Sequence, residues 1–247
     1  MKPTPISILI SNYNSYEAIQ LCIESIRKYT SYPYEIVVYD DNSYNKIDRK
    51  YLRQAKRDGW IHKLIEGREN LGHGGALNVL IDQCDTPLAM ILDCDIEIKK
   101  PGWLSDMVRI MDKDIVLISG IIHPMSTPRM EKLPTWFESW FMMLNIEAYH
   151  DGLEVDWKNA YVHFQGKPTF CPVGGRLWLK LREQTQYRIE PIPEAMKEKF
   201  FHHYHVSVLS IVRECDDDRL KKARDVKFAI LKKALKELRE GQGDAEP

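Results

Sequence analysis

The chain is poor in the features that stabilise small secreted domains or seat a protein in a membrane. Its five cysteines (Cys22, Cys84, Cys94, Cys171, Cys215) are an odd, widely spaced set with no C-x-x-C pair. That excludes a disulfide framework and a structural zinc ribbon, and it points to a reducing, cytoplasmic setting. No stretch approaches the ~18 uninterrupted apolar residues of a membrane span. Met1-Lys2-Pro3 leads straight into a strand-like run too short for a signal h-region, so no export signal is expected. Charge of one sign is missing too: 35 Lys and Arg against 36 Asp and Glu leave -1. The molecule as a whole is therefore no electrostatic nucleic-acid binder, and an anionic partner must be held locally. There is no internal repeat and no low-complexity block. What remains, 247 residues of which 44% are hydrophobic and 29% charged, is an ordinary globular composition for one domain or two small ones.

Short apolar runs at 6–10, 34–39, 88–92 and 115–118 predict buried strands, with 61–65 a weaker fifth. Between them Ile19, Cys22, Ile23 and Ile26 recur at helical spacing, and Asn14 with Glu17 has the pattern of a capping box. Helices are also predicted over 76–83 and 103–111, the second announced by Pro101-Gly102. Repeated βαβ units imply an α/β fold: a Rossmann-like, mostly parallel central sheet with helices on both faces. Ligands are then expected beyond the carboxyl ends of the strands. The second half is less regular. Residues 121–135 predict a long loop, Trp136, Phe137, Trp140 and Phe141 form an aromatic cluster assigned to packing, and Val173-Gly174-Gly175 is a backbone-permissive stop. An apolar run covers 206–212.

Three strand ends carry polar residues that a buried sheet does not need. Asp93-Cys94-Asp95 places two carboxylates where they can diverge, one toward Mn²⁺ or Mg²⁺ and the other toward a sugar hydroxyl or a second metal position. Such a cation would neutralise a departing diphosphate. Asp40-Asp41-Asn42-Ser43 is good turn and cap chemistry, and it also offers a carboxylate to a uracil ring or ribose hydroxyl. Ser11 and Tyr13 lie at the adjacent strand end. Asn70-Leu71-Gly72-His73-Gly74-Gly75-Ala76-Leu77-Asn78 opens a helix with exposed backbone N–H groups that a ligand could approach.

In their order, the Ile8 to Asn14, Val37 to Ser43, Asn70 to Asn78 and Ile91 to Asp95 motifs resemble the nucleotide-sugar half of family-2 glycosyltransferases of the GT-A fold. The resemblance covers about residues 1–120. It implies a nucleotide-sugar-binding half (1–120), an acceptor-binding and catalytic half of the same domain (121–212) and a helical tail (213–247). It further implies that Ser11 and Asp41 contact the nucleobase, that Asn70 and Gly72 lie along the nucleoside, and that Asp93 sits near ribose and donor sugar while Asp95 holds the metal. Members complete the metal site with a late His, here His203 or His205 within His202-His203-Tyr204-His205. Inverting members also carry an acid between the glycine pair and that His. The usual Glu-Asp dipeptide is absent, which leaves Glu190 and Glu194 as the candidate bases, with Glu198 a poorer one.

The resemblance thus implies a metal-dependent transferase moving a sugar from a UDP-sugar to a hydroxyl acceptor with inversion. Its rivals are a retaining enzyme, which needs no base, and a degenerate binding or assembly domain without turnover. From 219 to 239 the tail is basic on one side, with Leu220, Ala223, Phe228, Ile230, Leu231, Ala234, Leu235 and Leu238 on the other. Docking on the domain, a homodimer, or peripheral contact with an anionic membrane are the three expectations for that helix.

Overall fold

A computed structural model describes residues 3–111, 114–119, 122–123, 136–164, 166–181, 183–184, 186–206 and 218–241. Strand β1 (Ile6–Asn12) is apolar at successive positions because both of its faces are covered. It occupies the middle of a seven-stranded sheet. Parallel neighbours β2 (Tyr34–Asp40) and β4 (Leu88–Asp93) flank it, and β3 (Lys63–Glu66) lies outside β2. Beyond β4, β9 (Phe141–Asn145) runs antiparallel, then β6 (Ile115–Ser119) and β12 (Arg188–Pro191) resume the direction of β1, giving the order β12-β6-β9-β4-β1-β2-β3. The α/β class and largely parallel sheet expected from the sequence are present.

Two apolar layers follow from the period-2 alternation along each strand. Ile8, Ile10, Ile36, Val38, Met90, Leu92 and Met143 point to the layer that contains Ile19, Cys22, Ile23 and Ile26 of α1 (Tyr16–Tyr29). Leu9, Val37, Ala89, Ile91, Met142 and Leu144 point to the opposite layer, with Ala76, Leu77 and Leu80 of α3 (Gly72–Asp82).

Several sequence expectations need correction. Asn14 does not cap α1: its φ is 50°, the helix starts at Tyr16 after Ser15, and no side chain caps it. Asn14 instead ties two loops together, donating its N–H to Ser43 Oγ and accepting the Asn45 N–H. Helix α3 begins four residues before the predicted 76, because its cap is supplied from another strand end, described below. The aromatic segment is extended, forming β8 (Trp136–Phe137) and β9. Gly175 opens a helix, α6 (Gly175–Leu181), rather than a stop. The predicted loop over 121–135 lies outside the described residues except for His123 and Ile122, and so do 207–212 of the apolar run.

The tail is one helix, here α8 (Asp218–Glu240). It lies on α1: Phe228, Leu231, Ala234, Leu235 and Leu238 are buried in the same layer as Ile19 and Ile23. Arg239 grips the buried Glu24 with two hydrogen bonds of 2.8 and 2.6 Å, and Lys28 Nζ donates to the Leu238 carbonyl at 2.9 Å. Docking therefore takes up the main apolar face, which corrects the homodimer and membrane expectations for that face; Ile230 and Ala223, expected on it, are exposed. Leu231→Ala is expected to cost about 2–5 kcal/mol in denaturant unfolding, the usual penalty for a fully buried Leu. An unchanged midpoint would show that α8 does not dock. Among the described residues no helix is long and apolar enough to cross a membrane.

Candidate active site at the carboxyl edge of the sheet

Strand order reverses at β1, since β2 and β3 lie to one side and β4 to the other, and the crevice at such a switch point is where open α/β sheets take ligands. Ser11 is level with Asp93 across β1 and β4, and Asn12 is level with Asp40 across β1 and β2. Asp40 is occupied structurally: it accepts hydrogen bonds from Asn12 Nδ2 at 3.1 Å and Ser43 Oγ at 2.5 Å. Asp41, buried, accepts the Leu71 and Gly72 N–H groups at 2.6 and 2.9 Å. Burial pushes its carboxyl up, while the two amides pull it back.

That pair of bonds is the missing cap of α3, and it explains the early helix start. It also corrects the expectation that these amides await a ligand, since Asp41 already holds both. Asn70, exposed, accepts the Gly72 N–H at 2.9 Å. Gly72 has φ 70°, so a side chain there would be strained. Gly74 serves close packing instead: a Cβ would meet the Trp157 carbonyl oxygen at 2.6 Å. Tyr13 stands edge-on to Tyr44 beside this loop, with ring centroids 6.3 Å apart.

After Asp95 the chain forms β5 (Ile96–Ile98), which pairs antiparallel with β13 (Phe201–His203) so that His203 lies opposite Ile96. This pairing brings a residue more than a hundred positions away beside the Asp-Cys-Asp turn. Asp95 is buried, its backbone carbonyl accepting the Tyr204 N–H at 3.1 Å and Oδ2 the Val206 N–H at 2.6 Å, while Oδ1 lies 3.2 Å from His203 Nε2. One potential ligand atom from each of Asp93, Asp95 and His203 falls within 4.8 Å of the others.

These residues fit a divalent cation. Asp93 Oδ1 and both His203 ring nitrogens are buried with no hydrogen-bond partner among the described residues, and two carboxylates with one imidazole suit Mn²⁺ or Mg²⁺. Burial, with Asp95 beside it, pushes the Asp93 carboxyl well up, and nearby His203 pulls it down. A bound cation would reverse that logic. His205 is exposed at φ 54°, its ring 3.8 Å from that of His203, but it is outside the three-residue group.

Sequence reasoning left two neighbours of this group, His73 and Trp140, without a role there. His73 Nδ1 is 3.3 Å from Ser11 Oγ, and Nε2 is 3.1 Å from Ser139 Oγ and 3.7 Å from Asp93 Oδ1. Burial holds its ring well below the ordinary His value, hence neutral, so one nitrogen donates and the other accepts. Trp140, assigned to packing, stacks over His203 with ring centroids 4.3 Å apart, and its carbonyl accepts the Asp93 N–H at 2.8 Å. These contacts join segments 20 to 66 residues apart, and no local pattern encodes them.

The two candidate bases are not among the three residues of this group. Glu190 is near the carboxyl end of β12, level with Ile118, and accepts from Arg188 Nε at 2.6 Å. Glu194 starts α7 (Glu194–Phe200), exposed and paired with Lys197 at 2.9 Å. A third acid, Glu138, is close enough for its charge to raise Asp93 further.

Comparison with known proteins identifies the family and the fold. The model for the family described as Glycosyl transferase family 2 matches residues 7–166. A teichoic acid poly(glycerol phosphate) polymerase of Staphylococcus epidermidis is 30% identical over 94 residues, which are 38% of this chain but only 13% of that protein's length. Among solved structures, a mannosyltransferase of Pyrobaculum calidifontis in complex with GDP-Man and Mn²⁺ aligns over 99% of this chain and 76% of its own, with TM-score 0.57 and 15% identity. S. aureus TarS (1-349) in complex with UDP-GlcNAc aligns over 93% and 72%, with TM-score 0.53 and 15% identity. The fold is GT-A-like.

Proposed function

Since this chain belongs to glycosyl transferase family 2, we propose that it moves a sugar from a UDP-sugar to a hydroxyl acceptor, with inversion and with Mn²⁺ or Mg²⁺ as cofactor. The observation that carries the proposal is the convergence of Asp93, Asp95 and His203 at the strand-switch crevice. Those three residues would hold the cation, which supplies positive charge to a leaving diphosphate. In this reading His205 would stand by as an alternative metal ligand, and Ser11, Tyr13, Asp41, Asn70 and Gly72 would form the nucleoside side. Structural relatives holding UDP-GlcNAc on the one hand and GDP-Man with Mn²⁺ on the other support a nucleotide-sugar donor. A GDP-sugar is the second reading, favoured by the alignment of 99% of this chain with the GDP-Man complex.

The test is donor turnover. The protein with Mn²⁺ is incubated with UDP- and GDP-sugars, with and without simple glycosides as acceptors, and release of the nucleoside diphosphate is followed. Release from UDP-sugars above the others is expected. Binding with no release from any donor would favour a domain without turnover. Asp41→Ala is expected to weaken UDP and free uridine alike, because its place is away from the phosphates, and to lower stability by about 1–3 kcal/mol, since the Leu71 N–H loses its acceptor while the Gly72 N–H keeps Asn70 Oδ1. Calorimetry on both ligands and a thermal melt check this; a loss confined to UDP would place Asp41 with the phosphates.

A further inference from the structure

Net charge is near zero over the molecule as a whole, but two helices are strongly basic: the docked α8, with nine Lys and Arg against four acids, and a second one near the start of the chain. Helix α2 (Lys46–Arg57) carries Lys46, Arg49, Lys50, Arg53, Lys56 and Arg57 against a single acid, Asp48. It holds +5 in a chain of -1, so the rest carries -6. Asp48, Leu52 and Ala55 are buried and face the domain. At 100° per residue Lys46, Lys50, Arg53 and Arg57 fall within about 60° of one another on the opposite side, with Arg49 at their margin. These five line one shallow groove of about 500 Å³.

The stripe is not consumed by internal pairing. Arg53 meets Glu66 at 2.8 Å, and Arg49 reaches Asp40 at 3.8 Å and Asn42 at 3.0 Å. Among the described residues, Lys46, Lys50 and Arg57 have no carboxylate at ion-pair distance. At the start of the helix Ile47 and Tyr44 are among the most exposed large apolar side chains, 58% and 50% accessible.

We infer that this face of α2 seats the protein on an anionic lipid bilayer, the cations lying at the headgroups and Ile47 and Tyr44 entering the boundary beneath them. A flat row of long cationic side chains pointing away from the body matches a surface of phosphates better than a converging pocket for one small anion. Basic residues beside exposed apolar ones are the combination that holds a helix at such an interface. A soluble polyanion would satisfy the charges but gain nothing from Ile47. The inference is independent of the donor and metal assignments, since it involves none of those residues.

The test is sedimentation of the full chain with vesicles of phosphatidylglycerol and phosphatidylcholine in equal parts, or of phosphatidylcholine alone. Binding is expected only to the anionic vesicles and is expected to be lost in high salt. Lys50→Glu should weaken it about tenfold, and Lys46→Glu, Lys50→Glu and Arg57→Glu together should abolish it. These side chains are exposed or at the groove, and unchanged melting of the variants confirms that only the surface has altered. Ile47→Ser should also weaken vesicle binding while leaving its salt dependence in place. Lys233→Glu with Lys236→Glu on α8 should not change it. The inference is overturned if the anionic vesicles are not bound, if phosphatidylcholine binds equally, or if the α8 pair alone removes binding. It is likewise overturned if long-chain polyphosphate binds but vesicles do not, which assigns the stripe to a soluble polyanion, or if Ile47→Ser has no effect, which removes the apolar insertion on which the inference rests.

Discussion

Asp95→Asn is expected to lower turnover by at least about 10²–10³-fold while the protein remains folded, the range seen when one preorganised group facing developing charge is removed. The choice of Asn follows from the geometry. Asp95 Oδ2 accepts the buried Val206 N–H at 2.6 Å, and Oδ1 faces His203. An Asn can keep its carbonyl oxygen on Val206 and present an NH₂ group, which repels a cation, to the metal side. Asp95→Ala would conflate two effects, because the orphaned Val206 amide costs about 1–3 kcal/mol by itself. Asp95 is thus both the centre of the proposed metal site and a clamp on the segment that follows His203. A folded Asp95→Asn enzyme with normal, still metal-dependent turnover would remove Asp95 from the chemistry.

Conversion of the base to its amide is expected to reduce turnover by about 10²–10⁴-fold without weakening UDP binding, because general-base help acts on the acceptor hydroxyl. Glu190→Gln and Glu194→Gln should differ sharply. Glu190 is the one expected to matter more, since it lies at the carboxyl end of a strand running with β1 and β4 and so at the same edge as Asp93. Glu194 is a helix-start residue, exposed and paired with Lys197. If both variants are near normal and Glu138→Gln is crippled, the base belongs to the link between β8 and β9. If all three turn over normally, or if the product retains the donor's anomeric configuration by NMR, a retaining route replaces the inverting one.

The parts of the molecule that could be read from sequence are those whose cause is local. Residues 88–92 are an uninterrupted apolar run, and 6–10 one broken only by Ser7, because their strands are covered on both faces, and that pattern survives without knowledge of neighbours. Asp93-Cys94-Asp95 is legible because two carboxylates two residues apart at a strand exit can diverge toward a cation and a hydroxyl, and the other strand-end motifs add weight to it. The start of α3 was misplaced because its cap, Asp41, comes from thirty residues upstream. His73 escaped notice for a similar reason: Ser11, Ser139 and Asp93 reach it only once three strands have assembled. The His203 candidate came from family likeness, and the β5–β13 pairing supplies its physical reason, since one ladder sets its ring beside Asp95. The spacing of Trp140 with its aromatic neighbours points to packing, whereas its ring lies tilted against His203.

The most direct check of the central claim, a nucleotide diphosphate held with a cation by Asp93, Asp95 and His203, is a thermal-shift panel of UDP, GDP, ADP and CDP in Mn²⁺ and in EDTA. Ligand binding to the native state raises its stability by mass action, so the shift reports base and metal preference together. The account predicts the largest rise for UDP with Mn²⁺, a much smaller one in EDTA, and no metal dependence in Asp95→Asn. Equal shifts with Mn²⁺ and EDTA, or a metal-dependent shift that persists undiminished in Asp95→Asn, would contradict it.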